Sequence, residues 1–237
     1  MNNILSEKEY QRYIMQILEK QNGYLIRPNA KFDRRFAMDN EMLFAFLNAT
    51  QPKTMEALGK IYGDKTEDTI VNFLNAEITK QKSSLLSVLK HGVTIANYKL
   101  ELMYTKPATT YNADLLHKYN QNIFSVMEEV WASDTERVDL VIFLNGFAIM
   151  SFELKCNFAG QSYHDAIEQY KKQRSPKTRL FLFKAGCLVN FVMDLQEVYM
   201  CTRLSGESTC FLPFNIGNGH GVDAGKGNPI FDDKYSV

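Results

Sequence analysis

The chain has 237 residues, with 27 basic and 27 acidic side chains, a formal net charge of zero and 45% apolar content. That is enough apolar material for one large or two small packed domains. No apolar run reaches the roughly 18 residues of a membrane span, and the opening M-N-N-I-L-S-E-K-E-Y lacks the apolar stretch of a secretory signal. Cys156, Cys187, Cys201 and Cys210 form no C-x-x-C pair. They read as reduced thiols of a cytoplasmic protein rather than as a disulfide framework or zinc cluster.

In chain order, Ser6 with Glu9 three residues on predicts a capping box. The helix it opens carries Tyr10, Ile14, Ile17 and Leu18 at helical spacing and stops at Asn22-Gly23. Residues 24–36 read as loop or short strand with a basic patch, Lys31, Arg34 and Arg35. From 40 to 92 the pattern is helical throughout and predicts a helical insertion. Residues 93–104 predict one strand, closed by Pro107. Residues 121–131 have helical propensity, but the order of elements around them argues for a strand. Gly160 to Arg174 predicts a helix with Tyr163, Ala166, Ile167 and Tyr170 as its buried stripe and Ser175-Pro176 as its stop. Strands are then expected at 179–183, 187–193 and 197–202, and the Gly-rich tail at about 213–230 reads as a linker.

The central stretch, 137–155, reads R-V-D-L-V-I-F-L-N-G-F-A-I-M-S-F-E-L-K. Two apolar runs flank Asn145-Gly146, the strongest short signal for a β-hairpin. Asp139, Glu153 and Lys155 gather at its open end. Charges beside an apolar sheet cost free energy unless they are paired or bind a metal. With a strict two-residue turn Asp139 falls opposite Phe152, on the wrong face for Glu153. An odd-residue turn or a bulge, with Gly146 left-handed, restores the parity and sets Asp139 across from Ser151, diagonal to Glu153. Two carboxylates on one face can hold a hard divalent cation through oxygen. A lysine two residues along can stabilise phosphate charge or orient water. The competing reading is a surface salt-bridge cluster at a sheet end.

Asp139 followed by Glu153-Leu154-Lys155 across a hairpin resembles the PD-(D/E)xK nuclease motif, with Val138 in place of the leading proline. The longer phrase from Glu136 to Cys156 resembles the R (restriction and translocation) subunit of type I restriction-modification enzymes, and Asn122–Val126, Tyr163–Arg174 and Pro176–Asn190 extend the likeness. The resemblance implies an α/β fold: a PD-(D/E)xK restriction-endonuclease-like mixed β-sheet flanked by helices, with a helical insertion. The core is expected at about 1–36 and 93–203, the insertion at about 40–92, and the tail leading to a motor domain. It implies a Mg²⁺-dependent endonuclease acting on duplex DNA, with Asp139, Glu153 and Lys155 as catalytic residues. Asp139, Glu153 and the Leu154 carbonyl would be the metal ligands. The methyltransferase and specificity subunits of a type I complex are the implied protein partners.

The first helix of such nucleases often supplies a further glutamate, which points to Glu9 or Glu7, although capping explains Glu9 as well. The helix after the hairpin often carries Q-x-x-x-Y. Here Gln169 is followed by Gln173 at that spacing, so the tyrosine is missing, and Gln169 is either a supporting residue or an ordinary helix-face one. Lys171, Lys172 and Arg174 are either phosphate contacts or a solvated face that suits the helix dipole. His164 reads as a surface or capping residue. No G-x-x-x-x-G-K-[ST] is present, so ATP would belong to a motor absent from this stretch. Zero net charge predicts weak DNA binding by the domain alone. Two alternatives remain open: a stand-alone nuclease for junctions or damaged DNA, and a non-catalytic docking module of the same fold.

Overall fold

The computed structural model describes residues 6–109 and 111–217. The helix α1 (Glu7–Asn22) starts where Ser6 accepts the Glu9 amide and ends at Gly23, whose φ of 72° lets its amide close on the last turn. Short strands β1 (Leu25–Ile26), β2 (Phe32–Asp33) and β3 (Met38–Asp39) lead into four helices. These are α2 (Asn40–Thr50), α3 (Pro52–Tyr62), α4 (Thr66–Thr79) and α5 (Leu85–His91). Asp39 and Ser84 cap α2 and α5 through their side chains, and Pro52 opens α3 where its missing N–H costs nothing.

Residues 93–104, expected as one strand, instead form a two-stranded hairpin of β4 (Val93–Ile95) and β5 (Tyr98–Leu100). Ala96 and Asn97 both take left-handed backbone angles and turn the chain back after three residues. The helix α6 (Ala113–Asn120), capped by Asn112, was not foreseen; it buries none of its residues, so it leaves no strong apolar stripe to read. Residues 124–131 are a strand, β6 (Phe124–Trp131), as element order implied and propensity did not. The hairpin β7 (Arg137–Leu144) and β8 (Phe147–Leu154) follows, then α7 (Tyr163–Gln173). Ser162 and Asp165 make a full capping box that starts α7 three residues later than expected. Residues 179–183 are successive turns and not a strand. They fold back so that the Cys187 amide meets the Leu180 carbonyl, an approach that leaves no room for a side chain at Gly186. The strands β9 (Val189–Met193) and β10 (Val198–Cys201) come next, and β11 (Leu212–Pro213) pairs within the stretch expected as a linker. From residue 218 onward that tail lies outside the described residues.

The main sheet runs β1-β6-β7-β8-β9-β10-β11, with β3 also pairing β8 and β2 pairing β3. The β1–β6 and β8–β9 pairs are parallel and the other pairs antiparallel. One core joins Leu43, Phe46, Leu47, Leu58, Ile70 and Leu74 of α2–α4 to Val126, Leu140 and Ile142 of the sheet. The helical segment is therefore packed into the sheet's own core. A second core sets Ala166 and Tyr170 of α7 against Met127, Val141, Phe143 and Val192. The predicted stripe of α7 holds, with Ala166 and Tyr170 fully buried and Tyr163 and Ile167 partly so. The Tyr170 hydroxyl shares a hydrogen bond of 2.7 Å with Ser151 Oγ, which in turn donates to Asn190.

Candidate active site

The parity that the chemistry needs is present, but its source is the bulge. Leu144 pairs with Phe147, so Asn145-Gly146 is a regular two-residue turn, with φ of 49° and 86°. Ile149 is then an extra residue on β8, because Phe143 pairs with Ala148 while Ile142 pairs with Met150. Beyond the bulge Val141 pairs with Ser151 and Leu140 with Phe152. The next positions outward are Asp139 and Glu153. Ser151 is thus the partner of Val141, not of Asp139, and Asp139 stands at the level of Glu153 itself.

The turn is held from outside the hairpin. Asn145 is fully buried; its Oδ1 accepts the Ile123 amide at 2.7 Å, and its Nδ2 donates to the Leu102 carbonyl and to Asn122. A Cβ on Gly146 would lie 2.4 Å from the Asp39 carbonyl oxygen and 2.7 Å from the Leu43 nitrogen, so only glycine lets the start of α2 close on the turn. With the turn anchored in this way, it is the bulge that sets which side chains meet at the far end.

At that end Asp139, Glu153 and Lys155 are 7%, 0% and 6% exposed. The Leu154 amide donates to Asp139 Oδ2 at 2.7 Å, so the backbone of β8 fixes the carboxylate on β7. Glu153 Oε1 takes the Arg174 guanidinium through Nε at 2.8 Å and Nη2 at 2.7 Å. Glu153 Oε2 is buried and has no hydrogen-bond partner. Lys155 donates to the Leu154 carbonyl at 3.0 Å and to Glu7 at 3.1 Å. Burial pushes the Asp139 carboxyl up to about 6, against the opposing pull of the Leu154 amide and Lys155. Burial, then the charge of Asp139, pushes Glu153 up to about 8, with Arg174 and Lys155 acting the other way.

The structure separates the remaining candidates. Glu7, not Glu9, reaches the site. The buried stripe of α1 includes Tyr10, Gln11 and Met15, and Glu7 lies one turn before Gln11, whereas Glu9 is exposed. Gln11 donates to Glu128 and to the Asp139 carbonyl, tying α1 to both neighbouring strands. The i, i+4 spacing of Glu7 and Gln11 was the available signal. Gln169 is partly buried on α7, and Lys171 and Lys172 lie at the helix end, with Lys172 exposed and paired to Glu168. Arg174 corrects the reading as a surface phosphate contact: it is 5% exposed, and its guanidinium is taken up by Glu153 and the Arg137 carbonyl. A basic residue at a helix end looks solvated in sequence, but the chain turns inward at Arg174, which leaves the helix in an extended conformation. The basic patch at 31–35 is matched by acids: Lys31 with Glu41, Arg34 with Asp134, Arg35 with Asp33. His164 is exposed at the start of α7, its ring tilted against that of Tyr163. Three of the cysteines are buried, Cys210 is exposed, and all four are free.

No group of three or more His, Cys, Asp or Glu side chains among the described residues is placed to hold a metal. The donor set here is smaller: two carboxylates and a main-chain carbonyl. Its fit to a hard cation rests on the orphaned Glu153 oxygen, which is buried and has no protein partner.

A mixed sheet flanked by helices, with two buried carboxylates and a lysine at the end of one hairpin, defines a mixed α/β protein consistent with a nuclease-like fold. The family model described as the type I restriction enzyme R protein N terminus matches residues 4–209. The chain belongs to that family. No curated protein matches it. Among the described residues no helix is long and apolar enough to cross a membrane.

Proposed function

We propose that this chain is the Mg²⁺-dependent endonuclease module of a type I restriction enzyme R subunit, hydrolysing phosphodiester bonds of duplex DNA without sequence preference of its own. The observation that carries the reading is the buried Glu153 Oε2 at the level of Asp139, which no protein group satisfies. Asp139, Glu153 Oε2 and the Leu154 carbonyl would hold the ion. A bound Mg²⁺ would supply Lewis acidity toward the phosphate and a more acidic water.

The chain's own groups do the rest. Lys155, already facing the Leu154 carbonyl and Glu7, presents an ammonium that can donate to a phosphate oxygen as negative charge builds there. Glu7 holds that ammonium in place and is itself partly exposed, on the side from which solvent and DNA arrive. Lys171 and Lys172 at the end of α7 supply phosphate contacts that position the duplex without reading its sequence. Sequence choice and ATP-driven movement belong to the other subunits and to motor domains of the complete enzyme.

The test is cleavage by the complete R subunit assembled with its modification and specificity partners. Asp139→Asn and Lys155→Ala should each abolish double-strand cleavage and leave ATP hydrolysis intact. Cutting by the Lys155→Ala enzyme at the parental rate would refute the site assignment. Robust, salt-resistant cutting by the 237-residue chain alone would refute its dependence on the rest of the enzyme, because a neutral domain has little non-specific affinity.

A further inference from the structure

Arg174 bridges the two strands that carry the carboxylates. Its Nη2 lies 2.7 Å from Glu153 Oε1 on β8 and donates at 2.6 Å to the carbonyl of Arg137, two residues before Asp139 on β7. Its Nε donates to the same Glu153 oxygen at 2.8 Å, and its Nη1 to the Gln173 carbonyl. The planar fork is thus engaged on three sides and cannot swing. The segment that carries it is clamped in turn. Buried Glu136, the residue before Arg137, accepts the Ser175 amide and the Thr178 hydroxyl.

Both contacts that Arg174 makes with Glu153 fall on one oxygen, Oε1. The other, Oε2, is left bare and buried. A glutamate has three side-chain torsions, and without an anchor its carboxylate can present either oxygen or turn away. We propose that Arg174 is a positioning residue for the metal-binding carboxylate. It fixes Glu153 by Oε1, so that Oε2 alone faces the cation, and it braces β7 against β8, so that Asp139 and Glu153 keep one separation. This inference rests on the metal-site reading above and assigns Arg174 no contact with the reacting phosphate. Groups that orient metal ligands in this way commonly govern metal affinity by about 10–100-fold.

The experiment is direct binding of Mn²⁺ to the 237-residue chain, followed by electron paramagnetic resonance, with folding checked by circular dichroism. Glu153→Gln should remove the bound signal, which places the ion at this site. Arg174→Gln should weaken Mn²⁺ binding by about tenfold or more. Arg174→Lys keeps the charge and one nitrogen but loses the second, parallel bond to Glu153 Oε1 and the planar fork that makes it, so it should restore only part of the affinity. If Arg174→Gln fails to fold, the Arg174→Lys protein decides alone. Folded Arg174 variants that bind Mn²⁺ as tightly as the parent, or more tightly, would overturn the positioning role while leaving the metal site standing. A parent chain that binds no Mn²⁺, or binds it equally after Glu153→Gln, would overturn the metal-site reading and this inference with it.

Discussion

The two ends of the β7–β8 hairpin are built on opposite terms. At the turn, Asn145 is buried and both ends of its side-chain amide are bonded, to Ile123, Leu102 and Asn122. Gly146 adopts a left-handed angle that costs it little, and the start of α2 packs against it. At the open end, one oxygen of a fully buried glutamate has no partner, and two carboxylates are pushed well above their ordinary range. The first arrangement stabilises the fold. The second costs stability, a cost that the proposed cation would offset on binding.

The sharpest way to break this contrast is Asp139→Asn in the complete enzyme. It should remove cleavage altogether yet barely disturb folding, since an asparagine oxygen can still accept the Leu154 amide. Glu153→Ala is a poorer probe. Removing it strands the buried Arg174 guanidinium, at a cost of about 3–5 kcal/mol. The change would not be well tolerated, contrary to what a solvated charge cluster would imply.

Gly146→Ala should produce the reverse pattern at the other end. The added Cβ would force both a φ of 86° and a close contact with the Asp39 carbonyl, costing about 3 kcal/mol or more. Urea melts would show it; a loss under about 1 kcal/mol would mean that the turn yields easily. Mn²⁺ affinity of whatever fraction stays folded should be unchanged.

The pH dependence of the metal-free chain separates the two ends again. A carboxyl whose folded pKa is raised contributes stability below its unfolded value and loses it as pH climbs through the folded one. Stability should therefore fall from about pH 4 upward, first through about 6 for Asp139 and then through about 8 for Glu153. Asp139→Asn should flatten the lower part of that slope, and saturating Mg²⁺ should flatten the whole. A melting temperature that rises steadily over this range in the metal-free parent would contradict the site's electrostatics.

The smallest expected effect is Lys172→Ala. Its pairing with Glu168 is exposed, so the melting temperature should not move. Duplex affinity should drop by a similar factor for every sequence, with a shallower dependence on salt. Undiminished affinity would remove Lys172 from the interface.

Local order determined much of this chain. Ser6 and Gly23 bound α1, the apolar spacing of 40–92 makes helices, and Asn145-Gly146 makes the turn, because each depends on neighbours a few residues away. The clustering of Asp139, Glu153 and Lys155 was also readable, since a hairpin pairs residues at predictable offsets. What only the tertiary structure decided was the offset itself and the partners from far along the chain. The bulge at Ile149 has no turn residue to announce it, yet it alone shifts the register that sets Asp139 level with Glu153. Glu7 reaches Lys155 across 148 positions and Arg174 reaches Glu153 across 21, each because a helix packs on the sheet in one rotation. A basic side chain at a helix end reads the same in sequence whether it meets water or a buried carboxylate. Burial makes the difference, and burial is a property of the packed chain rather than of any stretch of it.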